Sequence, residues 1–95
     1  MSTKVQKLIL TQITTNRNLL VPNYLICCYA YYNDDDPLVS DQFFDKLAVA
    51  LAREWDELDH YHKAYLDIDM VKAATFTGQY PTIVEGAVEV MRKMK

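Results

Sequence analysis

Glycine is almost missing from this chain, with two residues in 95, and only three prolines accompany it. Hairpins and tight turns consume both residue types, so their scarcity counts against a strand-and-turn fold and favours long helices. Cysteine is equally scarce, and Cys27 and Cys28 stand side by side in an apolar run. Neighbouring cysteines rarely bridge each other and no zinc-ligand spacing is present, so the pair reads as reduced, buried small hydrophobes of a reducing compartment. Positive charge is in the minority: ten Lys and Arg against thirteen Asp and Glu give a formal charge of -3 and a pI near 5.2. Direct nucleic-acid binding needs clustered Lys and Arg and is not expected. Nor is there a long apolar run. Leu19 to Tyr32 carries no charge, but these 14 residues are interrupted by Pro22 and Asn23, and a bilayer requires roughly 20. A secretory signal would need a polar leader as long as Met1 to Asn18, so a cytoplasmic location is expected. Without a phosphate-cradling glycine loop, a Ser-His-Asp set or a Cys-His set, no catalytic activity is expected either.

What is present is helical periodicity. Val5, Leu8, Ile9 and Ile13 mark one stripe of a first helix from Thr3 to about Asn16, with Lys4, Lys7 and Gln12 off it. Pro22 suits the first turn of a second helix running to about Asn33, apolar nearly all round and therefore expected to be buried on most sides. Phe44, Leu47, Ala48, Leu51, Trp55, Leu58 and Tyr65 keep a three-four spacing, which predicts one long helix from Asp41 to about Leu66 with Ser40 as its N-cap. A short helix over Asp67 to Ala74 should stop near Gly78. Thr82 with Glu85 matches a capping box, opening a last helix with the stripe Ile83, Ala87, Val90, Met91 and Met94. The expected fold is all-α: one domain over residues 1–95, a small bundle of four to five helices around a long central one. His60 and His62 stand two apart, about 200° round a helix, and no metal site is expected from them.

The stretch from Tyr29 to Asp45 holds the chemistry. Aromatic Tyr29, Tyr31 and Tyr32 close one helix, Asp34, Asp35, Asp36 and Pro37 force a bend, and Asp41 and Asp45 open the next helix beside Phe44. On a helix Asp41 and Asp45 share one face; Tyr29 and Tyr32 share a face while Tyr31 points elsewhere. If the bend folds the two helices together, phenol rings meet two carboxylates. Flat aromatic faces attract planar or cationic rings, and carboxylates accept hydrogen bonds from hydroxyls and amides. The alternative from the same residues is that the tyrosines are core and Asp41 complements the helix dipole. Phe43, one step round from Phe44, is either half-buried against the second helix or exposed for a ligand or partner. The three aspartates are a solvated loop, a metal site or a patch for a basic partner.

The run Tyr31-Tyr32-Asn33-Asp34-Asp35-Asp36-Pro37-Leu38-Val39-Ser40-Asp41-Gln42-Phe43-Phe44-Asp45-Lys46-Leu47 resembles the small helical N-terminal domain (domain Ia) of bacterial NAD-dependent DNA ligases. There the pattern is Tyr-His, an Ala-Pro turn, then Asp-x-x-Tyr-Asp and a Leu-rich helix. The resemblance spans about Cys28 to Asp59. Tyr31, Asp41 and Asp45 match; Tyr32 stands where the family has His, and Phe44 where it has Tyr. It implies a nicotinamide mononucleotide (NMN) or NAD site at Tyr31, Tyr32, Asp41, Phe44 and Asp45, without ligation, because the family's Lys-x-Asp-Gly motif is lacking. The alternative function is a protein-protein interaction module, or a small inhibitor or regulator of the kind phages and mobile elements encode, with Phe43, Asp34, Asp35 and Asp36 as partner contacts. The oligomeric state is left open by the sequence.

Overall fold

Leu20–Cys28, helix α2, is the element the others pack on, and its composition explains why. All of its residues are buried except Pro22, which is half-buried. A helix apolar on every side gains from being surrounded, at about 1.5–3 kcal/mol for each large aliphatic side chain removed from water. The computed structural model describes residues 3–74, 76 and 78–94, and it places α3, Asp41–Arg53, and α5, Thr82–Arg92, against α2. Helix α1, Thr3–Thr15, contributes Val5, Ile9 and Ile13 to the core with Leu8 half-buried, the stripe its sequence specifies. A 3-10 turn, Arg17–Leu19, joins α1 to α2 and is capped by the Asn16 side chain. Inside α2, Asn23 is buried and donates to the Gln12 Oε1 and the Leu19 carbonyl. The described residues form an all-α bundle, and none of their helices is long and apolar enough to cross a membrane. Both cysteines are free and buried; burial pushes the Cys27 thiol up to about 12 and raises Cys28 as well, so neither supplies a reactive thiolate.

The helix expected over 41–66 is interrupted. Helix α3 ends at Arg53, and the chain continues as 3-10 turns, Trp55–Glu57 and Tyr61–Tyr65, with extended backbone at Leu58 and His60 between them. Polar groups along this segment take its backbone away from the helix. The Asp59 N–H donates to the Asn18 Oδ1 at 2.9 Å, and the His62 N–H donates to the His60 Nδ1 at 3.0 Å. Lys63 Nζ donates to the carbonyls of Trp55 and Leu58, and its ammonium sits 4.7 Å from the Trp55 ring centre. Successive 3-10 turns repeat every three residues, so Trp55 and Leu58 kept a helix-like spacing without a continuous helix. Tyr65, read as part of the buried stripe, is exposed.

Two further boundaries differ from expectation. Helix α4, Ile68–Lys72, is capped by Asp67, but the chain turns away at Ala73 and Ala74 rather than at Gly78. Ala74 has φ 54°, a left-handed conformation that a β-carbon makes costly. Gly78 serves packing instead, since a β-carbon there would come within 3.0 Å of the Phe76 ring. Helix α5 begins after Pro81, which occupies the N-cap position without a side-chain bond, so Thr82 is its first helical residue and the capping box does not form. Its buried stripe is Val84, Val88 and Met91, with Ala87 and Met94 half-buried, whereas Ile83 and Val90 are exposed. The apolar arc of α5 is wider than the face it buries, and periodicity alone chose the wrong edge of that arc.

Candidate functional site

The bend between α2 and α3 begins with a backbone irregularity. After Cys28 the helix widens into a single π-helical turn, Tyr29–Asn33, closed by the Asp34 N–H donating to the Tyr29 carbonyl at 3.1 Å. The Asp36 N–H reaches back to the Ala30 carbonyl at 2.9 Å. A wider turn rotates each residue by less than an α-helix does, and such turns concentrate at functional sites. Here it brings Tyr31 and Tyr32 round to one side, with ring centres 4.9 Å apart at 74°. Tyr29, expected to share a face with Tyr32, instead packs edge-on to Tyr80 at 5.0 Å.

Asp35 makes the reversal with φ 51°, tolerable for Asp because its short polar side chain suits the left-handed region. Arg92 on α5 holds the two flanking aspartates. Its Nη2 lies 2.9 Å from the Asp34 Oδ2, and its Nη1 donates to the Asp36 Oδ2 at 2.6 Å and to the Asp36 carbonyl at 2.9 Å. The acidic loop is therefore a clamped turn and not simply a solvated charge run. Beyond it, Leu38 and Val39 bury themselves and Ser40 accepts the Phe43 N–H, so α3 starts where its sequence says it should.

Against this bend Tyr31, Tyr32, Asp41, Phe44, Asp45 and Ala74 line one open concavity of about 250 Å³. The five residues singled out from sequence thus meet in space, joined by Ala74, which sequence reasoning missed and which periodicity could not have revealed. Their roles differ. Phe44 is buried between two rings, stacked on Tyr24 at 5.3 Å and on Tyr31 at 6.1 Å, with interplanar angles of 16° and 7°. Both its faces are engaged, so it supports Tyr31 rather than offering a platform of its own. A third ring between Tyr31 and Phe44 would need about 7 Å, two contact distances of about 3.5 Å. The Tyr32 hydroxyl donates to the Ala74 carbonyl at 3.1 Å, tying the strained turn to the cleft wall. Burial, and then the neighbouring Cys28, Tyr31 and Asp45, push the Tyr32 phenol above its ordinary range, which keeps it a neutral donor. The Asp41 and Asp45 side chains are exposed, and their carboxylates make no hydrogen bond or ion pair among the described residues. The lining contains two carboxylates, two phenols and no cation.

Phe43 lies elsewhere, half-buried on the opposite flank of α3, where it faces α1 rather than the second helix. The His60 and His62 rings, expected to diverge round a helix, are 4.9 Å apart because His60 is the extended N-cap of a 3-10 turn and its Nδ1 accepts the His62 N–H. Burial lowers both imidazoles below their ordinary values, and the His62 Nδ1 has no hydrogen-bond partner among the described residues. Among those residues no group of three or more His, Cys, Asp or Glu side chains is placed to hold a metal ion.

Fold and cleft together define a small all-α bundle with an acidic, aromatic-walled surface recess. Comparison with protein-family models, with curated proteins and with solved structures finds no match to this chain.

Proposed function

We propose that the chain is a non-catalytic binding module, a free-standing relative of the ligase nicotinamide-binding domain, whose cleft takes a planar cationic ring bearing amide and hydroxyl groups. A nicotinamide nucleotide is the ligand class. The observation that carries this reading is the convergence of Tyr31, Tyr32, Asp41 and Asp45 around one recess. The ring would stack on the outer face of Tyr31, which is 40 % exposed, while its positive charge faces the two carboxylates. Ribose hydroxyls and the carboxamide would donate to Asp41 and Asp45.

Size and charge limit the affinity. Sites that enclose drug-sized ligands measure about 300–1,000 Å³, so a recess of about 250 Å³ accommodates a ring and part of a ribose and leaves the remainder in solvent. With no cation in the lining, a phosphate gains nothing and is repelled by both aspartates. Nicotinamide riboside should therefore bind at least as tightly as NMN, and NAD no tighter. Titration of the protein with the three ligands, following the Tyr31 and Tyr32 ring resonances, tests this. Saturable shifts that disappear in Asp41→Ala and Asp45→Ala support the reading, and flat titrations at millimolar ligand dispose of it.

A further inference from the structure

The flank of α3 away from the cleft faces α1 across a second recess. The two helices run parallel and are bridged at both ends. The Ser40 N–H donates to the Gln6 Oε1 at 3.0 Å, and Arg17 forms a bidentate ion pair with Glu54. Between these bridges lies a groove of about 250 Å³ lined by Leu10, Ile13, Phe43, Leu47 and Ala50, with Arg17 and Lys46 as its ionisable residues. Leu10 is 48 % exposed there.

We propose that this groove docks an acidic amphipathic helix of a partner protein. The charge pattern selects that occupant. The protein is acidic overall, at -3, yet no carboxylate lines the groove and α1 contains no acidic residue. Lys7, one turn before Leu10, and Arg53, one turn after Ala50, are exposed and extend the positive rim. Glu54, the acidic group at the end of the groove, is occupied by Arg17 and is held below the usual carboxylate range by that bond. Lys46 makes no ion pair among the described residues. Along α3 the apolar floor runs from Phe43 to Ala50, seven residues or about 10.5 Å of helix rise, which matches anchors at i, i+4 and i+7 of a docked helix. The proposal does not depend on the nucleotide reading, because Phe43, Lys46 and Ala50 lie on the other side of α3 from Asp41 and Asp45.

The test uses a synthetic amphipathic helix of about 15 residues, with leucine at i, i+4 and i+7 and glutamate along both edges, and a second peptide in which lysine replaces each glutamate. The acidic peptide should bind saturably, shift amide resonances of α1 and α3, and lose affinity about tenfold or more with Lys46→Glu and with Leu10→Gln. Val49→Gln, an exposed change outside the groove, should leave binding intact. Equal binding of the two peptides, shifts mapping elsewhere, or no binding at millimolar peptide would overturn the proposal. So would sedimentation showing that the protein self-associates through Leu10 and Lys46, which would make a second copy the occupant.

Discussion

Arg92 bridges both ends of the acidic turn, and replacing it by methionine keeps most of the apolar stem of its side chain while removing the guanidinium. The variant loses two ion pairs, to Asp34 and Asp36, and a hydrogen bond to the Asp36 carbonyl. The side chains are unequally exposed, at 23 % for Arg92, 32 % for Asp34 and 60 % for Asp36. The Asp36 pair is largely screened and contributes about 0.3–0.5 kcal/mol, and the Asp34 pair about 0.5–1 kcal/mol, within the range of surface pairs. The carbonyl bond adds about 0.5–1 kcal/mol. A loss of about 1.3–2.5 kcal/mol follows, which for a domain of this size lowers Tm by roughly 5–20 °C. Thermal unfolding followed by circular dichroism measures it, and raising the salt to about 1 M, where the screening length falls to about 3 Å, should shrink the difference. A double-mutant cycle with Asp34→Asn isolates the pair and should give a coupling of about 0.5–1 kcal/mol. A Tm within about 2 °C of the parent, or a coupling of zero, would refute the reasoning that the loop is held by this residue.

Three further outcomes are expected. Gly86 lies inside α5 with nothing within 4 Å of where a β-carbon would sit, so Gly86→Ala should raise stability by about 0.5–1 kcal/mol in urea unfolding. Ser40→Ala removes the cap bond to the Phe43 N–H at the start of α3 and should cost about 1 kcal/mol, with amide exchange accelerating first at Phe43. His62 is buried and its pKa is lowered, firstly by that burial and secondly by His60, so the unfolded chain binds its proton more readily than the folded one. Its contribution is fully present above the unfolded value of about 6.5 and is lost as pH falls below it. The urea midpoint should drop between pH 7 and pH 5.5, and His62→Leu should flatten that drop.

How much of this was legible in the sequence depended on whether one helix or several groups decided the outcome. The α1 stripe, the buried α2 and the Ser40 start of α3 follow from local periodicity and capping, and each is where the sequence puts it. The end of α3 is not local. It is made by Asn18 and Lys63 capturing backbone groups 41 and five to eight positions away, while the 3-10 turns that follow imitate helical spacing. The meeting of Tyr31, Tyr32, Asp41, Phe44 and Asp45 was readable from the bend and the i,i+4 aspartates, but the way it happens was not. The sequence places Tyr31 away from the Tyr29–Tyr32 face, whereas in the π-helical turn its ring lies beside that of Tyr32. Arg92 meeting Asp34 and Asp36, 58 and 56 residues earlier, is a pairing that only the tertiary fold makes visible.

The cleft is proposed to recognise positive charge on a flat ring. Reduced and oxidised NMN share the same ribose, phosphate and carboxamide but differ in ring charge, so their affinities compared by calorimetry test that claim most directly. The oxidised, cationic form should bind about tenfold or more tightly than the reduced form, with the preference removed in Asp41→Asn/Asp45→Asn. Equal affinities, or a preference that survives loss of both carboxylates, would contradict the account.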